Sequence, residues 1–153
     1  MSVLQTWRIC PATYAADMFG GKGGLYFPAR WHSKGRLIVY LAESRALAAM
    51  EILANTQDCS ALHSHAWNIA RADLPASLVE TPARFPDDWR DQPPPASTRA
   101  FGDAWLASRH SPALRVPSAV VLGEFNYLLN PLHPDFARLT FSPPEAFHFD
   151  PRF

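Results

Sequence analysis

Residues 37–54 read LIVYLAESRALAAMEILA, an apolar run followed directly by a run of strong helix formers. The β-branched, uninterrupted stretch 37–41 predicts a strand that is buried on both faces. Ser44 is a good N-cap for a helix over residues 44–54. That helix is apolar almost all the way round, which is typical of a buried helix. A strand that leads into a buried helix is therefore the predicted centre of the fold.

Glu51 is the unexpected residue of this helix. Leu47 precedes it by four residues and Ala54 follows it by three, so the carboxylate shares a face with apolar side chains. A buried carboxylate is costly unless it is paired or hydrogen-bonded. Basic residues flank the preceding strand, namely Arg30, His32, Lys34 and Arg36. Two interpretations stay open: Glu51 belongs to a functional site, or it forms a structural ion pair with Arg30 or Arg36.

Composition limits the classes of protein. A chain of 153 residues, 48% apolar and 18% charged, fits a single globular domain over residues 1–153. The net charge of zero gives no reason to expect direct binding to nucleic acid or to an anionic membrane, and it leaves a homodimer open. Cys10 and Cys59 have no metal or disulfide spacing, and the first residues lack a signal-peptide pattern. A cytoplasmic location is expected.

The rest of the chain predicts a mixed α+β domain. Strands are expected over residues 3–9 and 66–70, and a short helix over residues 101–108. Residues 75–95 carry several prolines and predict a long irregular loop with a turn at 87–90. A strand over 114–122 contains Pro117, which favours a sheet edge or a bulge. The tail, rich in proline and aromatic residues, is expected to wrap the surface.

Other site chemistries have weaker support. The glycines around Lys22 lack the P-loop pattern, so they do not predict a phosphate loop. His63 and His65 share one face of an extended chain, but no third ligand has a convincing spacing, so no metal site is expected. Ser118 and Asp103 could join a hydrolase triad, yet the GxSxG elbow is absent.

Several short stretches occur in an order that resembles one known family. They are RWHS at 30–33 with Gly35, VYLAES at 39–44 with Ala48 and Glu51, GDAW at 102–105, RVPS at 115–118, NYLLNP at 126–131 with His133, and DPR at 150–152. Together they resemble the RES-domain toxins of bacterial type II toxin–antitoxin systems, over essentially the whole chain. One departure is Ala29, where many members have glycine before the arginine.

The resemblance implies a fold like that of the ADP-ribosyltransferases, with split mixed β-sheets flanked by short helices. It implies cleavage of the nicotinamide–ribose bond of NAD+ by water or phosphate, with NAD+ as substrate and no bound cofactor. It also implies an antitoxin with a DNA-binding helix-turn-helix region, whose C-terminal end blocks the NAD pocket; the toxin would meet DNA only through that complex. Two alternatives stay open: an ADP-ribosyltransferase that modifies a cellular protein, and a catalytically inactive complex-forming module.

By resemblance, Arg30, Glu51 and Ser118 are the catalytic triad and Tyr40 a further pocket residue. Cleavage proceeds toward a ribosyl oxocarbenium ion, which a carboxylate such as Glu51 would stabilise while it holds a ribose hydroxyl. Arg30 is suited to grip phosphate oxygens, and Ser118 to bind the amide or ribose. Tyr40 offers a ring face for nicotinamide, or is simply a core residue of its strand.

Two further residues are weaker candidates for binding NAD+. Arg8 and Asn126 are expected to place the pocket more than to line it. Arg30 and Ser118 also have purely structural interpretations, in which Arg30 covers Trp31 and Ser118 closes a bulge after Pro117.

Overall fold

The computed structural model describes residues 2–153, which form eight β-strands and three α-helices. The strands are β1 (Val3–Pro11), β2 (Val39–Ala42), β3 (Trp67–Pro75), β4 (Val79–Glu80), β5 (Ala113–Pro117), β6 (Phe125–Leu129), β7 (Thr140–Phe141) and β8 (Glu145–Phe147). The helices are α1 (Gly23–Tyr26), α2 (Arg45–Ala54) and α3 (Ala96–Ser108). Short 3₁₀ turns occur at Ala12–Asp17, Cys59–His63, Ala76–Leu78 and Pro134–Arg138.

The strands form one mixed, strongly divided sheet in the order β4-β5-β6-β2-β1-β3-β7, with β8 also paired to β3. Only β4 and β5 run parallel; the other neighbours are antiparallel. β1 pairs with β3 along its whole length, but it meets β2 only at Trp7 and Ala42. The predicted α+β class with a split mixed sheet is confirmed, and the split lies between β1 and β2.

The core covers both faces of the half-sheet that contains β6. Leu128 and Leu129 are both 0% exposed, and successive side chains of a strand point to opposite faces. Leu129 packs with Val39 and Leu74, whereas Leu128 packs with Val116, Trp105 and their neighbours. β2 pairs with β6 along its whole length. The packing on both faces of β6 therefore also fixes the position of β2.

Helix α2 has the predicted start but not the predicted burial. The Ser44 hydroxyl accepts a hydrogen bond from the Leu47 amide at 3.0 Å, as an N-cap does. Leu47 and Ala48 are buried, whereas Met50 is 43% exposed. The prediction of a helix buried all round is therefore wrong, because α2 covers the sheet with one face and leaves the other to solvent. Glu51 is half-buried at the border between the two faces.

Three other predictions need correction. The strand predicted over 114–122 is β5, which ends at Pro117. β4 pairs with β5 only at Ala113 and Leu114, so Pro117 has a strand partner on the β6 side alone, which agrees with the predicted edge position. A missing N–H is tolerated at a strand end, and residues 118–124 form a loop. Helix α3 begins at Ala96, five residues before the predicted start at Phe101. The tail does not only wrap the surface, because β7 and β8 extend the sheet beside β3.

Candidate active site

A cleft opens where β1 and β2 diverge beyond their single contact. Its volume is about 1130 Å³, slightly above the roughly 300–1,000 Å³ typical of small-molecule sites, so an extended ligand fits. One wall consists of α2 and β6, and the opposite wall consists of the turn around Arg30 and the loop near residue 91. The lining includes Trp7, Arg8, Cys10, Arg30, Tyr40, Glu51, Ile52, Trp67, Arg90, Asp91, Gln92, Pro117 and Asn126.

Glu51 is held in this cleft by neutral hydrogen-bond donors. Its Oε2 atom accepts from the Ser118 hydroxyl at 2.8 Å and from the Asn126 amide nitrogen at 2.7 Å. Within residues 2–153, Oε1 accepts no hydrogen bond and no cation lies within ion-pair distance of the carboxylate. Arg36 instead pairs with Asp103 at 3.1 Å. The interpretation of Glu51 as half of a structural ion pair is therefore wrong.

Ser118 positions Glu51 from behind. The side chain is 0% exposed, and the residue does not line the cleft although Pro117 and Ala119 do. Its hydroxyl donates to Glu51 and accepts from the amides of Val120 and Val121 at 3.1 and 3.0 Å. The hydroxyl is therefore fully used within the protein, so the expected direct contact with an amide or ribose does not fit this geometry. The bulge expected after Pro117 is absent, and the Ser118 hydroxyl instead holds the loop that follows β5.

Asn126 is the second donor to Glu51 and lines the cleft itself. It lies on β6 opposite Ala42 of β2 and Val116 of β5, so two strand pairings fix its backbone. Its carbonyl oxygen, Oδ1, is buried without a donor. Asn126 thus both places the carboxylate and contributes surface to the cleft, a larger role than its sequence position suggested.

Arg30 lies on the opposite wall, where its guanidinium holds a loop. Nη1 donates to the carbonyls of Trp89 and Asp91 at 2.8 and 2.7 Å, and Nη2 donates to the Gln92 side-chain oxygen at 2.6 Å. Burial lowers the pKa of Arg30, while the carboxylates of Glu51 and Asp91 act to raise it. Arg30 therefore feels the charge of Glu51 across the cleft without forming an ion pair with it.

The turn that carries Arg30 is fixed by α3. A side chain at Gly102 would overlap the carbonyl oxygen of Trp31, so only glycine lets the helix approach this turn. Asp103 follows and accepts from the Ser33 amide at 2.9 Å. Gly102 and Asp103 of the GDAW stretch thus fix the position of the turn that carries Arg30.

Tyr40 lines the cleft and is hydrogen-bonded to His32, which is buried behind it. The Tyr40 hydroxyl lies 2.7 Å from His32 Nδ1 and accepts from the Trp31 amide at 3.2 Å. His32 is 3% exposed, and its Nε2 atom lies 2.8 Å from the Phe27 carbonyl. Burial lowers the pKa of His32 and raises that of Tyr40, so both groups are neutral near pH 7.

Arg8 is a cation of the cleft without a countercharge. Nη1 donates to the Tyr40 carbonyl at 3.2 Å, while the buried Nε atom has no partner. No carboxylate lies within 4.0 Å of it among residues 2–153. Burial lowers the pKa of Arg8. A half-buried, unpaired guanidinium is a site for an anion.

Several lining residues carried no signal in the sequence. Trp7 and Trp67 lie in strands, and their sequence context predicted core residues. Residues 90–94 belong to the proline-rich loop. Their role depends on where β1 and β2 part, which no local pattern encodes. His63, one of the two rejected metal candidates, lies 2.9 Å from the Phe153 carbonyl through Nε2. Residues 2–153 hold no group of three or more side chains placed to bind a metal ion.

Comparison with known proteins shows the family of this chain. The RES domain matches residues 5–150. The protein named Toxin Res from Yersinia enterocolitica is 38% identical over 151 residues, which cover 97% of this chain and 99% of that protein. The Prs ADP-ribosylating toxin of a Sphingobium species is 34% identical over 151 residues, covering 95% of this chain and 94% of the relative.

The fold also has a solved counterpart. It is a chain of the Mycobacterium tuberculosis MbcT–MbcA toxin–antitoxin complex, with a TM-score of 0.75 over 96% of this chain and 85% of that one. The identity is 18%, so this likeness concerns the fold. The chain belongs to the RES domain family, in which the relatives described above are named toxins. None of the helices within residues 2–153 is long and apolar enough to cross a membrane.

Proposed function

We propose that this protein is the toxin of a toxin–antitoxin pair and that it consumes NAD+ by cleaving the nicotinamide–ribose bond. One observation carries the proposal. Glu51 has one oxygen fixed by Ser118 and Asn126, and the other without a protein partner, in a cleft that is also lined by Arg8, Arg30 and Arg90. A fixed carboxylate can stabilise the positive charge that develops on the ribose during bond cleavage. The nearby arginines can bind the negatively charged diphosphate of NAD+.

The chemistry asks little of an acid catalyst, because nicotinamide leaves as a neutral molecule. The bond from the ribose carbon to nitrogen breaks, and its electron pair goes to nicotinamide. The free oxygen of Glu51 holds a ribose hydroxyl and stabilises the oxocarbenium charge. Water then forms the new carbon–oxygen bond and loses a proton to solvent, which gives ADP-ribose. Attack by phosphate gives ADP-ribose 1″-phosphate instead.

The remaining groups have separate tasks in this proposal. Arg8 binds the diphosphate, because it is half-buried in the cleft and has no carboxylate or side-chain partner, whereas Arg90 is exposed. Arg30 adds positive charge from the wall opposite Glu51, although its guanidinium already donates hydrogen bonds to three acceptors of the loop. Tyr40 offers its ring to nicotinamide, since the hydroxyl is already hydrogen-bonded within the protein. Asn126 and Ser118 hold Glu51.

A second candidate function is transfer of ADP-ribose to a protein. The Sphingobium relative, 34% identical over nearly the full chain, is named an ADP-ribosylating toxin of Prs. Both functions share bond cleavage and the oxocarbenium ion, and they differ only in the nucleophile that enters. The proposed NAD+ site is therefore the same for both, and product analysis separates them.

The proposed partner is an antitoxin that covers the cleft. The solved structure with this fold is a toxin–antitoxin complex, which supports a partner of that kind. The antitoxin would carry a DNA-binding helix-turn-helix region and insert its C-terminal end into the cleft. Contact with DNA would then occur only through the complex, and the reaction would take place in the cytoplasm.

The test is mass-spectrometric analysis of NAD+ incubated with purified protein, with and without phosphate. Nicotinamide with ADP-ribose indicates hydrolysis, and ADP-ribose 1″-phosphate indicates phosphorolysis. A Glu51→Ala variant that melts like the wild type should leave NAD+ intact, and Glu145→Ala, an exposed carboxylate outside the cleft, serves as the control. Intact NAD+ with a folded, antitoxin-free protein contradicts the proposal. Nicotinamide release that requires an added protein acceptor selects the second candidate.

A further inference from the structure

The pair formed by His32 and Tyr40 has a defined direction. The Phe27 carbonyl accepts hydrogen bonds and cannot donate, so the Nε2 atom of His32, at 2.8 Å, carries the proton. In a neutral imidazole Nδ1 is then an acceptor, and the Tyr40 hydroxyl donates to it across 2.7 Å. The same hydroxyl accepts from the Trp31 amide. The His32 nitrogens and the Tyr40 hydroxyl thus each have a hydrogen-bond partner of the right kind.

Burial keeps the pair in this state. His32 is 3% exposed, and desolvation lowers its pKa against the opposing effects of the Phe27 carbonyl and the Asp103 carboxylate of α3. Asp103 is itself paired with Arg36, which limits its influence on the ring. Protonated His32 would donate at both nitrogens, and the Tyr40 hydroxyl would have to turn its proton elsewhere. The neutral ring is therefore the form that fixes the hydroxyl.

We propose that His32 is a positioning residue: its neutral ring, protonated at Nε2, accepts the Tyr40 hydroxyl proton at Nδ1 and holds the Tyr40 ring for the substrate. This rests on the proposed function, because the substrate in question is NAD+. Tyr40 lines the cleft, whereas His32 does not, so His32 acts through Tyr40. In this arrangement the Tyr40 hydroxyl directs its proton to His32 Nδ1 and not into the cleft.

Two substitutions of His32 test the roles of its two ring nitrogens separately. His32→Asn places an oxygen near the Nδ1 position and keeps an acceptor for Tyr40, whereas His32→Gln places an amide nitrogen near Nε2 and keeps only the donor to Phe27. We expect kcat/KM for NAD+ cleavage to stay within about threefold in His32→Asn and to fall about tenfold in His32→Gln, as for loss of one buried hydrogen bond. In a Tyr40→Phe background the two variants should be equal.

Thermal melting separates positioning from folding, because a purely structural role would lower both melting temperatures without this difference in kcat/KM. Equal losses in both variants, unchanged by Tyr40→Phe, would overturn the proposal.

A measurement on the unsubstituted protein does not depend on activity. Nitrogen-15 NMR at pH 7 should show His32 as the Nε2–H tautomer, with its signal assigned by its absence in His32→Gln. An Nδ1–H tautomer or a charged ring would refute the pair even if NAD+ is cleaved. Conversely, the expected tautomer without NAD+ cleavage would leave the pair intact and refute the proposed function on which its positioning role rests.

Discussion

The two walls of the cleft hold their charged residues in opposite ways. Glu51 is fixed by two side chains, Ser118 and Asn126, that belong to the end of β5 and to β6 at the centre of the molecule. Arg30 is fixed mainly by backbone carbonyls of the loop at residues 89–91, and by Gln92. The carboxylate is thus built into the sheet, whereas the arginine holds together a turn and a loop.

Among the residues that surround Glu51, the largest effect is expected on the carboxylate wall. Ser118→Ala removes a donor to Glu51 and the acceptor for two loop amides. We expect kcat for nicotinamide release to fall about 10–100-fold with KM nearly unchanged, since the lost interaction acts on the transition state. The matched control is Ser108→Ala at the end of α3, outside the cleft. A rise in KM alone would show that Ser118 serves binding instead.

Arg8 lies on β1 between the two walls and should affect binding. In Arg8→Gln the anion site loses its charge, so we expect KM for NAD+ to rise about tenfold while kcat changes less than threefold. Arg84→Gln, an exposed arginine outside the cleft lining, controls for the change in net charge. Unchanged KM would remove Arg8 from the diphosphate site and return that task to Arg30.

On the loop wall the expected change is dynamic. Arg30→Lys replaces a fork that reaches three acceptors by a single ammonium. Hydrogen exchange at the amides of residues 89–92 should become about five- to tenfold faster, as expected for the loss of about 1 kcal/mol of hydrogen bonding. Amides of β6 should exchange as before. If they accelerate equally, the two walls are one cooperative unit and the contrast fails.

The smallest effect concerns pH and stability. His32 has a folded-state pKa below the ordinary 6.5, so just below pH 6.5 the unfolded chain binds more protons than the folded one. The free energy of unfolding should therefore decrease as the pH falls from 6.5 and level off below the folded-state pKa. Urea titrations of His32→Gln should show a shallower decrease, and those of the exposed-site variant His110→Gln should match the wild type. Identical slopes in all three proteins would contradict burial of a neutral His32.

The sequence revealed the carboxylate wall better than the loop wall, for a physical reason. Glu51 stood out because a charge within a helical apolar pattern needs partners, and the resemblance supplied Ser118 and Asn126. The loop at 89–92 gave no comparable signal, since it binds Arg30 mostly through backbone carbonyls, which every sequence possesses. None of the roles predicted for Arg30 therefore included its acceptors in the loop.

The fold shows the same limit. The α+β class and the N-cap at Ser44 followed from local patterns. The burial of α2, the end of β5 and the pairing of the tail with β3 did not, because they depend on tertiary neighbours. Pro117 correctly indicated a position without a strand partner on one side, but only the structure shows that β5 ends there.

The most direct test of the account is the rate of nicotinamide release by Glu51→Gln. This substitution preserves size and replaces the free carboxylate oxygen by a neutral amide, while Glu145→Gln makes the same change at an exposed position outside the cleft. We expect kcat to fall at least about 100-fold in the first variant and to stay at the wild-type value in the second. A folded Glu51→Gln protein that cleaves NAD+ at the wild-type rate would contradict it.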